Sequence, residues 1–282
     1  MKTLFRALSL LPLPVLHLLG AVTGWLSWLA SATYRRRFIE NAQQAGYSTR
    51  EVLGAVAESG KLVTELPRLW FGPPIHVHWQ GAEHIRAAQA TGKGIVLLTP
   101  HLGCFEVAAQ SFAVLHGAIT VLYRPARKAW LRDLVDTARG RGRLATAPTT
   151  LAGVRQMLRA LKSGEVVGLL PDQVPPEGMG VWAPFFGRDA YTMTLSARLA
   201  HQTGATVLLV WAERLSWGRG YRAHVRPFAG ELSRDAGEAA AQVNLAMESL
   251  IRECPQQYLW GYARYKQPRD GAGGGARDEV RP

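Results

Sequence analysis

Short apolar runs alternate with amphipathic stretches along most of this chain, and that alternation limits the fold more than any other feature. Gly94-Ile95-Val96-Leu97-Leu98-Thr99 is one such run, and it reads as a buried strand. Ile119 to Tyr123, Val166 to Leu170 and Thr206 to Ala212 read the same way. His76 to Gln80 and Leu144 to Ala147 are shorter strands, and Gly220 to Arg226 is expected to pair with Thr206 to Ala212 as a hairpin arm. Between them, Glu83 to Ala90, Val107 to Leu115, Lys128 to Arg139, Thr150 to Lys162, Thr192 to Gln202 and Asp235 to Glu253 read as helices. Ser48 to Trp70 reads as one helix, with Ser48 as N-cap, Glu51 at the capping-box position and Pro73-Pro74 as its stop. Strands alternating with helices predict an α/β fold, with a mostly parallel central sheet flanked by helices. A further segment, Trp182 to Phe186, follows a Pro/Gly-rich loop, and the Gly-rich tail 267–282 is expected to be disordered.

Composition narrows the class. Hydrophobic residues make up 48% of the 282 and charged residues 19%, so the chain is not a disordered one. Cys104 and Cys254 are too few for a disulfide framework, which favours a reducing compartment, and neither spacing suggests zinc. The net charge is +12. Most of the excess falls between Ile119 and Gly164, where ten bases face only Asp133 and Asp136. Either these are solvated helix faces, or they form a surface for an acidic partner.

No Asp, Glu, Lys or Arg occurs from Ala7 to Ala32, a stretch long enough to cross a hydrocarbon core of about 30 Å. Pro12, Pro14 and His17 shorten the regular part, while Gly20, Trp25 and Trp28 suit a membrane helix with interfacial aromatics. Arg35-Arg36-Arg37 closes the segment and would hold the following chain on the cytoplasmic side; Lys2 and Arg6 pull the other way. We expect residues 1–34 to be a membrane anchor, spanning or dipping into one leaflet, and residues 35–266 the globular domain. A signal peptide cut after Ala30-Ser31-Ala32 and a buried core helix are the competing readings.

His101 and Glu106 follow the Gly94 strand and precede the Val107 helix. Base and acid thus sit at a strand-to-helix turn, where α/β enzymes place their chemistry. A neutral imidazole can take a proton from a hydroxyl, and a carboxylate on its other nitrogen fixes the tautomer. Within one regular helix the two side chains would point about 140° apart, so His101 must lie in the turn if they cooperate. The bland alternative is a satisfied core histidine. Cys104 reads as a packing thiol rather than a nucleophile. No Gly-x-Ser-x-Gly elbow, phosphate-binding loop or intact dinucleotide fingerprint occurs. His76 and His78 share a strand face but lack further ligands, so no metal is expected.

Several separated motifs together carry a resemblance. They are His-x4-Glu (His101, Glu106), Tyr123-Arg124-Pro125, Pro171-Asp172-Gln173, Pro184-Phe185-Phe186-Gly187 with Thr192, and Pro255-Gln256-Gln257-Tyr258-Leu259-Trp260. From the N-terminal segment to about Lys266 the chain resembles the bacterial late acyltransferases of lipid A biosynthesis, within the lysophospholipid acyltransferase group. The resemblance implies an acyltransferase-like α/β fold and O-acyl transfer without a covalent acyl-enzyme or cofactor. The donor would be an acyl thioester on acyl carrier protein, and the acceptor a hydroxyl of a phosphorylated lipid A precursor at the inner membrane. It implies His101 as general base with Glu106 as partner. Arg124 would meet phosphate or oxyanion, with Arg127, Asp172, Gln173 and Thr192 as further substrate-binding residues. Two departures, Arg127-Lys128 where relatives often carry Asn and Val174 where they are often acidic, bear on acceptor and donor. Another lipid acceptor (a lysophospholipid, a mannosylated phosphoinositide or an aminolipid) stays open. So does a non-catalytic basic protein binding membrane or nucleic acid, although no basic recognition helix supports nucleic acid.

Overall fold

A computed structural model describes residues 2–123, 135 and 143–269. The expected helix Lys128–Arg139 apart from Val135, the residues Arg124 and Arg127, and most of the tail lie outside that set. The chain begins with α1 (Lys2–Leu8), α2 (Leu13–Ala30), α3 (Ala32–Gln44), α4 (Thr49–Val52), α5 (Gly54–Thr64) and α6 (Leu66–Phe71). Then follow β1 (Val77–Gln80), α7 (Ala82–Ala90), β2 (Ile95–Leu98), α8 (Phe105–Leu115), β3 (Ile119–Tyr123) and β4 (Leu144–Pro148). The second half holds α9 (Leu151–Lys162), β5 (Val166–Leu169), β6 (Gly180–Phe185), β7 (Arg188–Met193), α10 (Leu195–Thr203), β8 (Thr206–Arg214), β9 (Tyr221–Pro227) and α11 (Ala236–Glu253).

Seven strands form one sheet in the order β1-β9-β8-β2-β5-β3-β4. Every neighbouring pair is parallel except β8 with β9, the expected hairpin. The apolar runs need no alternation because both sheet faces are covered. Val96, Leu98, Val167, Leu169, Leu209 and Trp211 face one core, which includes residues of α9, α10 and α11. Ile95, Leu97, Val166, Leu208 and Val210 face the other, under α7 and α8.

Two segments depart from expectation. Ser48 to Trp70 is three short helices: the chain bends at Leu53 and again at Glu65, ahead of Pro67. A proline at the second helical position starts a helix but cannot continue one. The Ser48 amide does donate to the Glu51 carboxylate, at 2.8 Å. Thr192 lies in β7 rather than opening a helix, since β6 and β7 form an antiparallel ribbon. Its two-residue turn puts Phe186 and Gly187 at positive φ, the backbone a tight hairpin requires.

One helix among the described residues, α2, is long and apolar enough to cross a membrane by length and composition. It does not stand free of the domain. Leu13, Leu16, His17, Gly20 and Gly24 are buried, and a Cβ on Gly60 of α5 would lie 1.9 Å from the Gly20 carbonyl oxygen. Glycine is required at this crossing, because the two backbones touch. The opposite face leaves Leu18, Val22, Leu26 and Leu29 exposed. At its C-terminal end, Arg35 donates to the Leu29 carbonyl at 2.7 Å.

Candidate active site

β2 and β5 are adjacent and in register, Leu98 opposite Leu169. The same three-residue step past each strand reaches His101 on one and Asp172 on the other. That edge, at the carboxyl ends of parallel strands, is where open α/β sheets leave a crevice. His101 Nδ1 lies 2.7 Å from Asp172 Oδ1, and the His101 amide donates to Asp172 Oδ2 at 2.8 Å. Both carboxylate oxygens thus hold one residue. With Nδ1 engaged, Nε2 is the nitrogen left for a substrate, and among the described residues it has no hydrogen-bond partner.

Asp172 is 1% exposed. Burial alone would raise its carboxyl, but the His101 ring and amide and the Arg264 guanidinium outweigh it and hold Asp172 below the usual carboxylate range. The Tyr258 hydroxyl lies beside the same carboxylate. Burial and that negative charge push Tyr258 well above an ordinary phenol, so it stays protonated and can donate.

Glu106 opens α8 at its first turn, where the helix N-terminus favours a negative charge. Its expected place on the His101 ring is taken by Asp172. Its Oε1 instead accepts from Trp70 Nε1 at 2.8 Å and from Gln110 Nε2 at 3.2 Å. Gln173 is half-buried beside Asp172. Thr192 is fully buried, and its hydroxyl accepts from Arg264 Nη2 at 2.7 Å and from Asn244 Nδ2 at 2.9 Å. It touches this site only through Arg264.

The loop carrying His101 is tied at successive peptide groups. The His101 carbonyl accepts from the Leu259 amide, the Gly103 amide donates to the Gln257 carbonyl, and the Cys104 amide donates to the Ala212 carbonyl. Gly103 has φ +59°, and a Cβ there would sit 1.9 Å from the Ala212 carbonyl oxygen. The Gly103 carbonyl accepts from Arg214 Nη2 at 2.9 Å.

Arg214 leads to a buried charge cluster. It forks onto Glu65, with Nη2–Oε1 at 2.7 Å and Nε–Oε2 at 2.8 Å, and reaches Glu58 at 3.2 Å. His17 of α2 and the Tyr221 hydroxyl close on Glu65 at 3.2 and 2.8 Å. Burial raises the Glu65 carboxyl, yet Arg214 and His17 win and bring it down from 4.5 to about 2. A depressed native value stabilises the fold above the unfolded value and is lost as pH falls through the native one. Resistance to urea should therefore fall as pH drops from 4.5 toward about 2, and a Glu65→Gln chain should lose that part of the acid dependence. Neither Glu65 nor Arg214 was singled out from the sequence. The available signal was a lone acid inside the apolar Leu62–Leu69 stretch and a lone base ending the Thr206 strand.

Against the sheet beside this edge lies an apolar cavity of about 40 Å³. Phe105 and Ala108 of α8, Thr99, Leu97, Val210 and Gly168 line it. The Phe105 ring also meets the His101 ring edge-on, centroids 5.0 Å apart. No cluster of three or more potential metal ligands occurs among the described residues.

Known proteins are similar in sequence to much of this chain. The lipid A biosynthesis lauroyltransferase of Escherichia coli K12 is 30% identical over 93% of this chain and 88% of its own length. The palmitoleoyltransferase of the same organism is 28% identical over 91% and 86%. A phosphatidylinositol mannoside acyltransferase of Mycobacterium tuberculosis is 30% identical, but only over 49% of this chain and 45% of its own. The model of the bacterial lipid A biosynthesis acyltransferases matches residues 52–267, from the start of the α4–α5 bend to the end of the described domain. By that match and by its long relatives, the chain is an acyltransferase and belongs to the bacterial lipid A biosynthesis acyltransferase family.

Proposed function

We propose that this enzyme transfers a fatty acyl chain from an acyl thioester on acyl carrier protein to a hydroxyl of a lipid A precursor, with His101 Nε2 as general base. The observation that carries the reading is the doubly held histidine. Asp172 fixes the ring by Nδ1 and by the His101 amide, which leaves Nε2 aimed away from the carboxylate.

The steps follow from that placement. Nε2 takes the proton of the acceptor hydroxyl as its oxygen attacks the thioester carbonyl. The imidazolium so formed is stabilised by the Asp172 carboxylate. The tetrahedral intermediate expels the thiolate, and Nε2 returns the proton to sulfur. The product is an ester, and no acyl group is held on the protein. Arg124 is assigned to the oxyanion or a phosphate by its motif, and Arg127 to phosphate; Gln173, beside Asp172, supplies a neutral amide for the substrate. Thr192 is given a positioning role, because it seats the guanidinium that acts on Asp172. Glu106, in the first turn of the helix that follows the loop, fixes Trp70. The apolar lining beside Phe105 suits contact with hydrocarbon next to the base.

The outward apolar face of α2 supports an inner-membrane anchor formed by residues 1–34, with the catalytic domain on the cytoplasmic side. The excess of basic residues in the sequence 119–164 suits both an acidic carrier protein and a phosphate-bearing lipid.

Two variants separate the carboxylates. Asp172→Asn is expected to lower kcat by about 10²–10³-fold, since the amide no longer stabilises the imidazolium. Glu106→Gln should lower it less, because its hydrogen bonds to Trp70 and Gln110 are not to the base. The reverse ranking in steady-state assays would return the orienting role to Glu106. The acceptor is tested by mass spectrometry of lipids from a strain lacking the gene. Lipid A short by one acyl chain supports the reading; intact lipid A with a shortened phosphoinositide mannoside supports the acceptor of the mycobacterial relative.

A further inference from the structure

Between β8 and β9, a one-turn helix, Ser216–Gly218, carries a tryptophan out of the domain. Trp217 is 88% exposed, the most exposed of the large hydrophobic side chains described. Its backbone is left-handed, φ 61° and ψ 24°, in a residue type that rarely adopts it. Two independent costs, an indole in water and a strained backbone, coincide at one residue.

The surroundings say what the indole faces. Gly218 packs against Pro14 at the start of α2, where an added Cβ would lie 2.6 Å from the Pro14 nitrogen. Trp217 is therefore seated beside the end of the one long apolar helix. Leu18, one turn further along α2, is 66% exposed, and Leu10 just before the helix is 78% exposed. Arg219, also exposed, folds back onto the Ser216 carbonyl and hydroxyl, which keeps a guanidinium in the same turn as the tryptophan. An exposed indole and an exposed guanidinium in one turn, at the end of an apolar helix, match the headgroup boundary of a bilayer, where tryptophan is favoured and arginine meets phosphate.

We propose that Trp217 is a second membrane contact, inserting at the lipid headgroup boundary next to the start of α2. The proposal rests on the membrane reading of α2 given above. It goes beyond that reading because the contact is made by the catalytic domain. α2 is clamped along α5, so two points from separate parts of the chain then fix the tilt of the domain over the lipid. The loop leads into Arg214 at one end and Tyr221 at the other, both bonded to Glu65. The same strand pair that holds the Gly103 carbonyl thereby carries the membrane contact.

The test uses full-length protein, in a Cys254→Ala background, reconstituted with vesicles of phosphatidylethanolamine and phosphatidylglycerol. Cysteines introduced one at a time at Leu18, Trp217 and Leu245 carry an environment-sensitive fluorophore, the remaining Cys104 being fully buried, and a nitroxide near the headgroup end of the acyl chain serves as quencher. Leu245, exposed on α11, gives the background. Labels at 18 and 217 are both expected to be quenched several-fold more than the label at 245. Quenching at 18 with only background quenching at 217 overturns the proposal and leaves the anchor standing. Background quenching at both positions overturns the membrane reading as well.

Discussion

His101→Ala is expected to lower kcat for acyl transfer by about 10³–10⁴-fold, toward the upper end of what a general base contributes. The chain should still fold. Asp172 would keep the residue-101 amide as a donor and the field of Arg264, so its charge is not stranded. Equal unfolding midpoints with a collapse of kcat therefore separate chemistry from stability. The loss should fall on kcat rather than KM, because Nε2 acts on a proton that moves only in the transition state. Undiminished transfer would remove His101 from the mechanism.

Arg214→Met should give the largest loss of stability, about 3–5 kcal/mol by chemical unfolding above pH 5. The residue is 4% exposed, and the carboxylate it forks onto is fully buried. Removing the cation leaves Glu65 with His17, Tyr221 and the Cys104 thiol, none of them a fixed full charge, for compensation. Methionine fills the volume, so packing is not the main cost. A double variant, Arg214→Met with Glu65→Leu, should recover much of the loss, since the penalty lies in the uncompensated charge rather than in the missing pair. If the single variant lost no more than about 1 kcal/mol, the cluster would be behaving as a solvated ion pair. The double variant should recover less activity than stability, because the Gly103 carbonyl still lacks its Arg214 donor.

The strands were legible because burial on both sheet faces leaves continuous apolar runs. Ile95 to Leu98 and Val166 to Leu169 were found to within a residue or two for that reason. The bends at Leu53 and Glu65 were not, since Val52, Val56, Leu62 and Leu66 keep helical spacing across both. Thr192 was misplaced for a related reason. The run from Thr192 onward is helix-like, but the Phe186-Gly187 turn pairs Arg188–Met193 with the preceding strand. The hydrogen-bond partner of the His101 ring was not legible. The four-residue spacing drew attention to Glu106, whereas Asp172, 71 residues away, arrives through the register of β2 with β5. Motifs distant in sequence turn out to hold that one loop: Asp172 takes the His101 side chain and amide, Leu259 the His101 carbonyl, and Gln257 the Gly103 amide.

The most direct measurement is a transfer assay with purified protein, acyl carrier protein thioesters and a tetra-acylated lipid A precursor, read by mass spectrometry of both lipid and protein. The account predicts a lipid heavier by one acyl chain, no acyl adduct on the protein, and loss of product in His101→Ala. A covalent acyl-protein that forms and decays with turnover, or product formation that survives His101→Ala, would contradict it.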